Sequence, residues 1–154
     1  MIIGVDFDGT IVEHRYPFIG EERPYATEVL RRLLHHRHIL MLWTVREGQL
    51  LQEAMDWCRE RGVEFAAVNG EWTGHFEQVG ADFDPTRKPD ADIFIDDKGI
   101  GGLPTWTEIY RIIQEGVTYP QLLRRRWQEE WEETDPTPPS PRWMFWKRRS
   151  GHDA

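Results

Sequence analysis

The sequence predicts an α/β fold with three layers, a parallel sheet carrying helices on both faces, and three observations predict it. Short apolar runs of strand length alternate with amphipathic stretches of helical length as far as Glu115, and that alternation calls for parallel pairing with right-handed crossovers. The runs at Ile2–Val5 and Ile39–Trp43 are nearly unbroken, as in strands buried on both faces. Three of the runs end in marked polar residues: Asp6 and Asp8, then Thr44, then Asp96 and Asp97. In a parallel sheet those ends share one edge, where open α/β sheets bind ligands.

The elements follow in order. Asp6 and Asp8 stand one residue apart and are followed at once by Gly9 and Thr10, so the backbone turns directly after the first strand. Ile11 to Gly20 shows turn and extended signals without a helical period and reads as a short hairpin or flap, from which His14, Arg15 and Tyr16 could face a substrate. Pro24 precedes a helix over Tyr25 to Arg37, with Val29, Leu30, Leu33 and Leu34 on one face. The His35-His36-His38 group at its end reads as cations suited to a helix C-terminus rather than as metal ligands, because residues 35 and 36 point in different directions.

After the second strand, a helix is expected from about Glu47 to Arg61, stopped by Gly62. A third strand is expected over Val63–Val68, closed by Asn69-Gly70, and residues 71 to 90 read as a loop or small excursion. A fourth strand is expected over Ala91–Ile95, with Gly99, Gly101 and Gly102 opening the loop behind it. Two further helices are expected, over 105–115 and from Pro120 to about Glu133. Pro136, Pro138, Pro139 and Pro141 then forbid regular structure. The expected organisation is a catalytic domain over 1–133 and a flexible, proline-rich, basic and aromatic tail over 134–154.

Composition narrows the function. At 154 residues, with 39% hydrophobic and 30% charged content, one core of good size is affordable. The net charge is −8, and since residues 134–154 carry a balance of +2, the body carries −10. An acidic body disfavours duplex nucleic acid as a partner, whereas a small phosphorylated substrate is compatible if a metal and local cations offset the field. No apolar run spans a bilayer. The chain moves straight into a strand without a signal-peptide pattern, and Cys58 is its single cysteine, so the cytoplasm is the expected location.

The paired carboxylates need a cation, and hard oxygen donors suit Mg²⁺. A phosphoryl group needs a further positive charge. The lysines are Lys88, Lys98 and Lys147; Lys88, just upstream of the fourth strand, is preferred because it can enter the site from the side, and Lys98, directly after the acidic pair, stays open as the competitor.

The set Asp6-Phe-Asp-Gly-Thr10, Thr44, Lys88 and Ile95-Asp-Asp97, in that order, resembles the four motifs of the haloacid dehalogenase (HAD) superfamily. Asp6 to Glu22, Trp43-Thr-Val-Arg-Glu-Gly48 and Asp96-Asp-Lys-Gly-Ile-Gly-Gly102 are similar to small bacterial phosphatase-type members. The resemblance implies a Rossmann-like (HAD-like) fold and a Mg²⁺-dependent phosphomonoester hydrolase acting through an aspartyl-phosphate. In it Asp6 is the nucleophile and Asp8 the general acid and base. Thr44 is the hydrogen-bond donor to the phosphoryl group and Lys88 the balancing cation. Mg²⁺ is held by Asp6, Asp96 and the backbone carbonyl of Asp8, with Asp97 orienting a metal-bound water or the lysine. Thr10 and Arg46 are weaker substrate-binding candidates, and Asn69 is a further secondary one. An aspartate at position 8 favours phosphoryl over carbon-group transfer within the superfamily.

The spacings between motifs leave no room for a cap domain of the usual size, so the site is expected to be open, taking a large phosphorylated substrate or borrowing a lid from a second copy in a homo-oligomer. The alternatives are a nucleotidase or phosphotransferase of the same family, or a non-catalytic receiver-like module. The last is disfavoured because the third strand ends in Asn69 where a receiver carries its aspartate.

Overall fold

The computed structural model describes residues 1–70 and 90–134, side chains of 131–134 excepted. Lys88, the excursion over 71–89 and the tail from residue 135 lie outside the described residues. By its internal contacts the chain divides into two units, Met1–Glu115 and Gly116–Ala154.

The first unit holds a four-stranded, all-parallel, Rossmann-like sheet: β1 (Ile2–Val5), β2 (Ile39–Leu42), β3 (Ala67–Val68) and β4 (Ile93–Ile95), in the order β3-β2-β1-β4. Helix α1 (Ala26–His35) lies between β1 and β2 in the chain, α2 (Gly48–Glu60) between β2 and β3, and α3 (Trp106–Glu115) after β4. The second unit is described through α4 (Tyr119–Thr134). Among the described residues no helix is long and apolar enough to cross a membrane.

The order of strands creates the site. β1 pairs with β2 on one side and β4 on the other, so the path out of β1 goes one way and β4 arrives from the opposite side. Such a reversal opens a crevice at the carboxyl ends of the strands. The register is level there: Val5 pairs with Leu42 and Ile95, and Leu42 with Val68. One residue further, Asp6, Trp43, Asn69 and Asp96 form the next row along the edge.

The core beneath this edge is built from the apolar runs. Ile3, Val5, Leu40 and Leu42 are buried from the strands, Leu30 and Leu33 from α1, and Ile109 and Ile113 from α3. The expected face of α1 is the buried one, except that Leu34 is only partly covered. Tyr25, at the N-cap of α1, offers no side-chain cap. Glu22 substitutes, its Oε1 accepting from the Thr27 backbone N–H (3.0 Å) and hydroxyl (2.6 Å), which satisfies a donor that helix starts leave open. At the other end His36 Nε2 lies 3.1 Å from the Tyr110 hydroxyl. Gly62, at φ +73°, closes α2 as expected, and Val63 N–H donates to Cys58 O at 3.0 Å. That bond uses up the start of the expected third strand, which shortens from six residues to Ala67–Val68.

The segment after β1 folds back as the expected flap. Glu13 N–H donates to Glu21 O (2.8 Å) and Arg23 N–H to Ile11 O (2.9 Å), an antiparallel base under the exposed stretch that contains Tyr16 and Phe18. Arg15 is exposed there, 3.8 Å from Glu13.

Candidate functional site

Asp6 and Asp96 are the first residues past β1 and β4, and the ladder continues into the site because Asp6 N–H donates to Ile95 O at 3.0 Å. Asp6, Asp96 and Asp97 each offer a carboxylate oxygen, and these oxygens lie within 4.8 Å of one another. Thr10 ties the two strand ends together. Its hydroxyl donates to Asp6 Oδ2 (3.0 Å) and accepts from the Asp97 backbone N–H (3.1 Å), while its carbonyl accepts from Trp106 Nε1 (3.1 Å). Thr10 is fully buried; it is a brace for the carboxylates and is not presented to a substrate.

Gly9 makes the approach of Asp97 feasible. Its φ is +90°, and a Cβ there would stand 2.3 Å from Asp97 Oδ2, so both conformation and space exclude a side chain. Asp97 Oδ1 is buried with no hydrogen-bond partner among the described residues. An orphaned carboxylate oxygen inside a cluster of like charge has the character of a cation ligand. Asp6 reports the same strain: burial, and then the nearby charges of Asp96 and Asp97, push its carboxyl up to about 6, against hydrogen bonds from the Phe7 backbone and Thr10 that act to lower it.

Asp8 points elsewhere. Its carboxylate, 5% exposed, is not one of the three clustered groups; it accepts from Arg46 Nε at Oδ2 and from Arg46 Nη2 at Oδ1, both at 2.7 Å. Arg46, expected as a weak substrate contact, is fully buried. Its remaining bonds run to the carbonyls of Pro17 and Phe18, both 3.0 Å, in the flap.

Thr44 sits just past β2, nearly buried. Its N–H donates to Asn69 Oδ1 (2.7 Å), and its hydroxyl oxygen accepts from the Arg46 backbone N–H (3.2 Å), an arrangement that, among the described residues, leaves the hydroxyl proton available to a ligand. Asn69, at φ +49°, therefore serves to fix the turn that carries Thr44. Lys98 Nζ lies 3.2 Å from Asp97 Oδ2 but is 73% exposed, and its backbone N–H donates to Asp96 Oδ1 (2.7 Å). Phe18, Val45 and Ile100, in the segments that follow β1, β2 and β4, are exposed.

Strand-end reasoning reaches Asp6, Asp96, Asp97 and Thr44. It misses the Asp8–Arg46 pair and the bracing role of Thr10. The available signal was an arginine placed four residues past the end of a buried strand, where a guanidinium needs a carboxylate.

Fold and site together define a class: a Rossmann-like α/β protein with a triad of aspartates, able to hold a metal ion, at the switch point of its sheet. No protein-family model matches the chain, and no curated protein matches it. A solved structure does: a conserved protein coded by a locus from Bacteroides thetaiotaomicron is 51% identical, with 79% of this chain and 96% of that one aligned at a TM-score of 0.69. The chain belongs to the same family as that conserved protein.

Proposed function

We propose that this chain is a small, capless, cytoplasmic phosphomonoester hydrolase of the haloacid dehalogenase type, three-layered and Mg²⁺-dependent, working through an aspartyl-phosphate on Asp6. The observation that carries the reading is the convergence of the Asp6, Asp96 and Asp97 carboxylates within 4.8 Å, with one buried oxygen of Asp97 left unpartnered among the described residues. Three carboxylates at that separation repel one another, and an all-oxygen donor set in a partly dry pocket fits Mg²⁺ better than a softer metal. The ion would be held by Asp6, Asp96 and the Asp8 carbonyl, with Asp97 orienting its water or the lysine. When bound, it supplies charge neutralisation between carboxylate and phosphate and clamps the phosphoryl group in line.

Asp6 then attacks phosphorus as the bond to the leaving oxygen breaks. Asp8 gives a proton to that oxygen, and takes one back from the water that attacks the phosphorus of the aspartyl-phosphate, releasing phosphate and restoring Asp6. Thr44 donates its hydroxyl proton to a phosphoryl oxygen. Lys88 is the preferred balancing cation, and Lys98, beside Asp97, is its competitor. Phosphoryl transfer asks chiefly for position and charge stabilisation, which these groups supply. An aryl phosphate, whose leaving oxygen departs readily, is a suitable probe. Release of p-nitrophenol from p-nitrophenyl phosphate is expected with Mg²⁺, and is expected to fall to background with EDTA and in Asp6→Asn. Turnover that survives Asp6→Asn contradicts the reading.

A further inference from the structure

We propose that Arg46 is the positioning residue that aims Asp8 and fastens it to the flap, so that the acid–base group and the flap are held by one side chain. Its kinetic consequence rests on the phosphatase reading; its structural consequence does not.

A guanidinium is buried only when its charge is matched and its N–H groups are used. Arg46 meets both conditions with partners from two stretches of chain, the turn after β1 and the flap. The forked pair to Asp8 uses Nε and Nη2, each at 2.7 Å. Nη1 and Nη2 then donate to Pro17 O and Phe18 O, each at 3.0 Å. The Phe7 ring centroid lies 5.1 Å and that of Tyr16 5.5 Å from the guanidinium carbon, contacts in which a cation is attracted to an aromatic face. One residue from the turn before α2 therefore fixes the carboxylate after β1 and the far end of the flap.

The arrangement leaves Asp8 able to act. Each carboxylate oxygen has a second lone pair; a proton carried there can pass to the departing oxygen, and the freed lone pair can then take one from water, while Arg46 keeps its bonds to the group. Lysine cannot replace the fork, because its ammonium is a point charge without fixed paired donors.

The test compares wild type with Arg46→Lys and Tyr16→Leu. The second variant removes a half-exposed ring and keeps the ion pair, so its folding is not at issue. Hydrogen exchange is followed at amides of residues 13–22 and, as a control, in β1 and β2. Turnover is measured with p-nitrophenyl phosphate and with an alkyl phosphate, whose poorer leaving group depends more on a proton donor. The expected result is faster exchange in the flap alone, in both variants. In Arg46→Lys, the single-turnover rate of leaving-group release, which precedes the hydrolysis step common to both esters, is expected to fall about 10²-fold on the alkyl ester but less than tenfold on the aryl ester, the range general acid catalysis supplies. Millimolar guanidinium is expected to recover part of the alkyl ester rate in Arg46→Ala. Equal losses on the two esters, or flap exchange unchanged in both variants, overturn the proposal. Should wild type hydrolyse neither ester, the phosphatase reading fails by itself, and flap exchange alone decides whether Arg46 fastens the flap.

Discussion

Gly9 shows how narrowly one residue constrains this site. With φ at +90° and Asp97 Oδ2 2.3 Å from where a Cβ would stand, Gly9→Ala must strain the backbone and displace a carboxylate of the cluster. Strain in sparsely populated backbone regions costs about 1–3 kcal/mol. The expected outcome is a lower Tm together with weaker Mg²⁺ binding, measured by titration calorimetry on the folded variant. Full Mg²⁺ affinity in Gly9→Ala contradicts the close approach as a feature of the working site. Cys58 is a contrasting residue: burial pushes its thiol up to about 12, so it packs as a small apolar group and has no chemistry to offer.

At the scale of elements, what could be read from the sequence follows from what is local. β1 is found at its expected residues and β2 loses only Trp43, since each is an unbroken apolar run ending in a polar residue. α1, α2 and α3 stand within about two residues of their expected ends for the same reason, a clear helical period. β3 is shorter than the apolar pattern over 63–68 implies, because Val63 turns back onto the end of α2 and only Ala67 and Val68 pair with β2. β4 loses its first residues similarly: Asp92 Oδ2 accepts from Ile2 N–H at 2.7 Å, a side-chain closure beyond the ladder. The acidic triad was legible as a pattern of strand ends. The Asp8–Arg46 pair was not, because it joins positions 38 apart, and no periodicity or motif spacing encodes which distant charges meet.

At the scale of the whole molecule, the cluster links folding, pH and metal. The Asp6 carboxyl rises from 3.8 to about 6 on folding, chiefly through burial. Between those values the folded chain binds more protons than the unfolded one, so this group lowers stability as pH rises from about 4 to about 6, and the cost persists above that window. The upper limit is about 3 kcal/mol, reduced by the partial exposure of the group. Measured as Tm without Mg²⁺, wild type is expected to lose stability relative to Asp6→Asn across this window. Saturating Mg²⁺ is expected to remove the difference, because a cation favours the ionised carboxylate. A wild-type Tm that gains on Asp6→Asn as pH rises, or that is indifferent to Mg²⁺ at pH 7, contradicts the metal assignment.

The claim under all of this is that Asp6 becomes phosphorylated. The direct measurement is an acid quench during turnover of an aryl phosphate, followed by borohydride reduction, which converts an aspartyl-phosphate to homoserine, and peptide mapping by mass spectrometry. Homoserine at position 6, formed only when Mg²⁺ and substrate are both present, is the expected result. Phosphate release with homoserine at position 8, 96 or 97, or at none of these positions, contradicts the account.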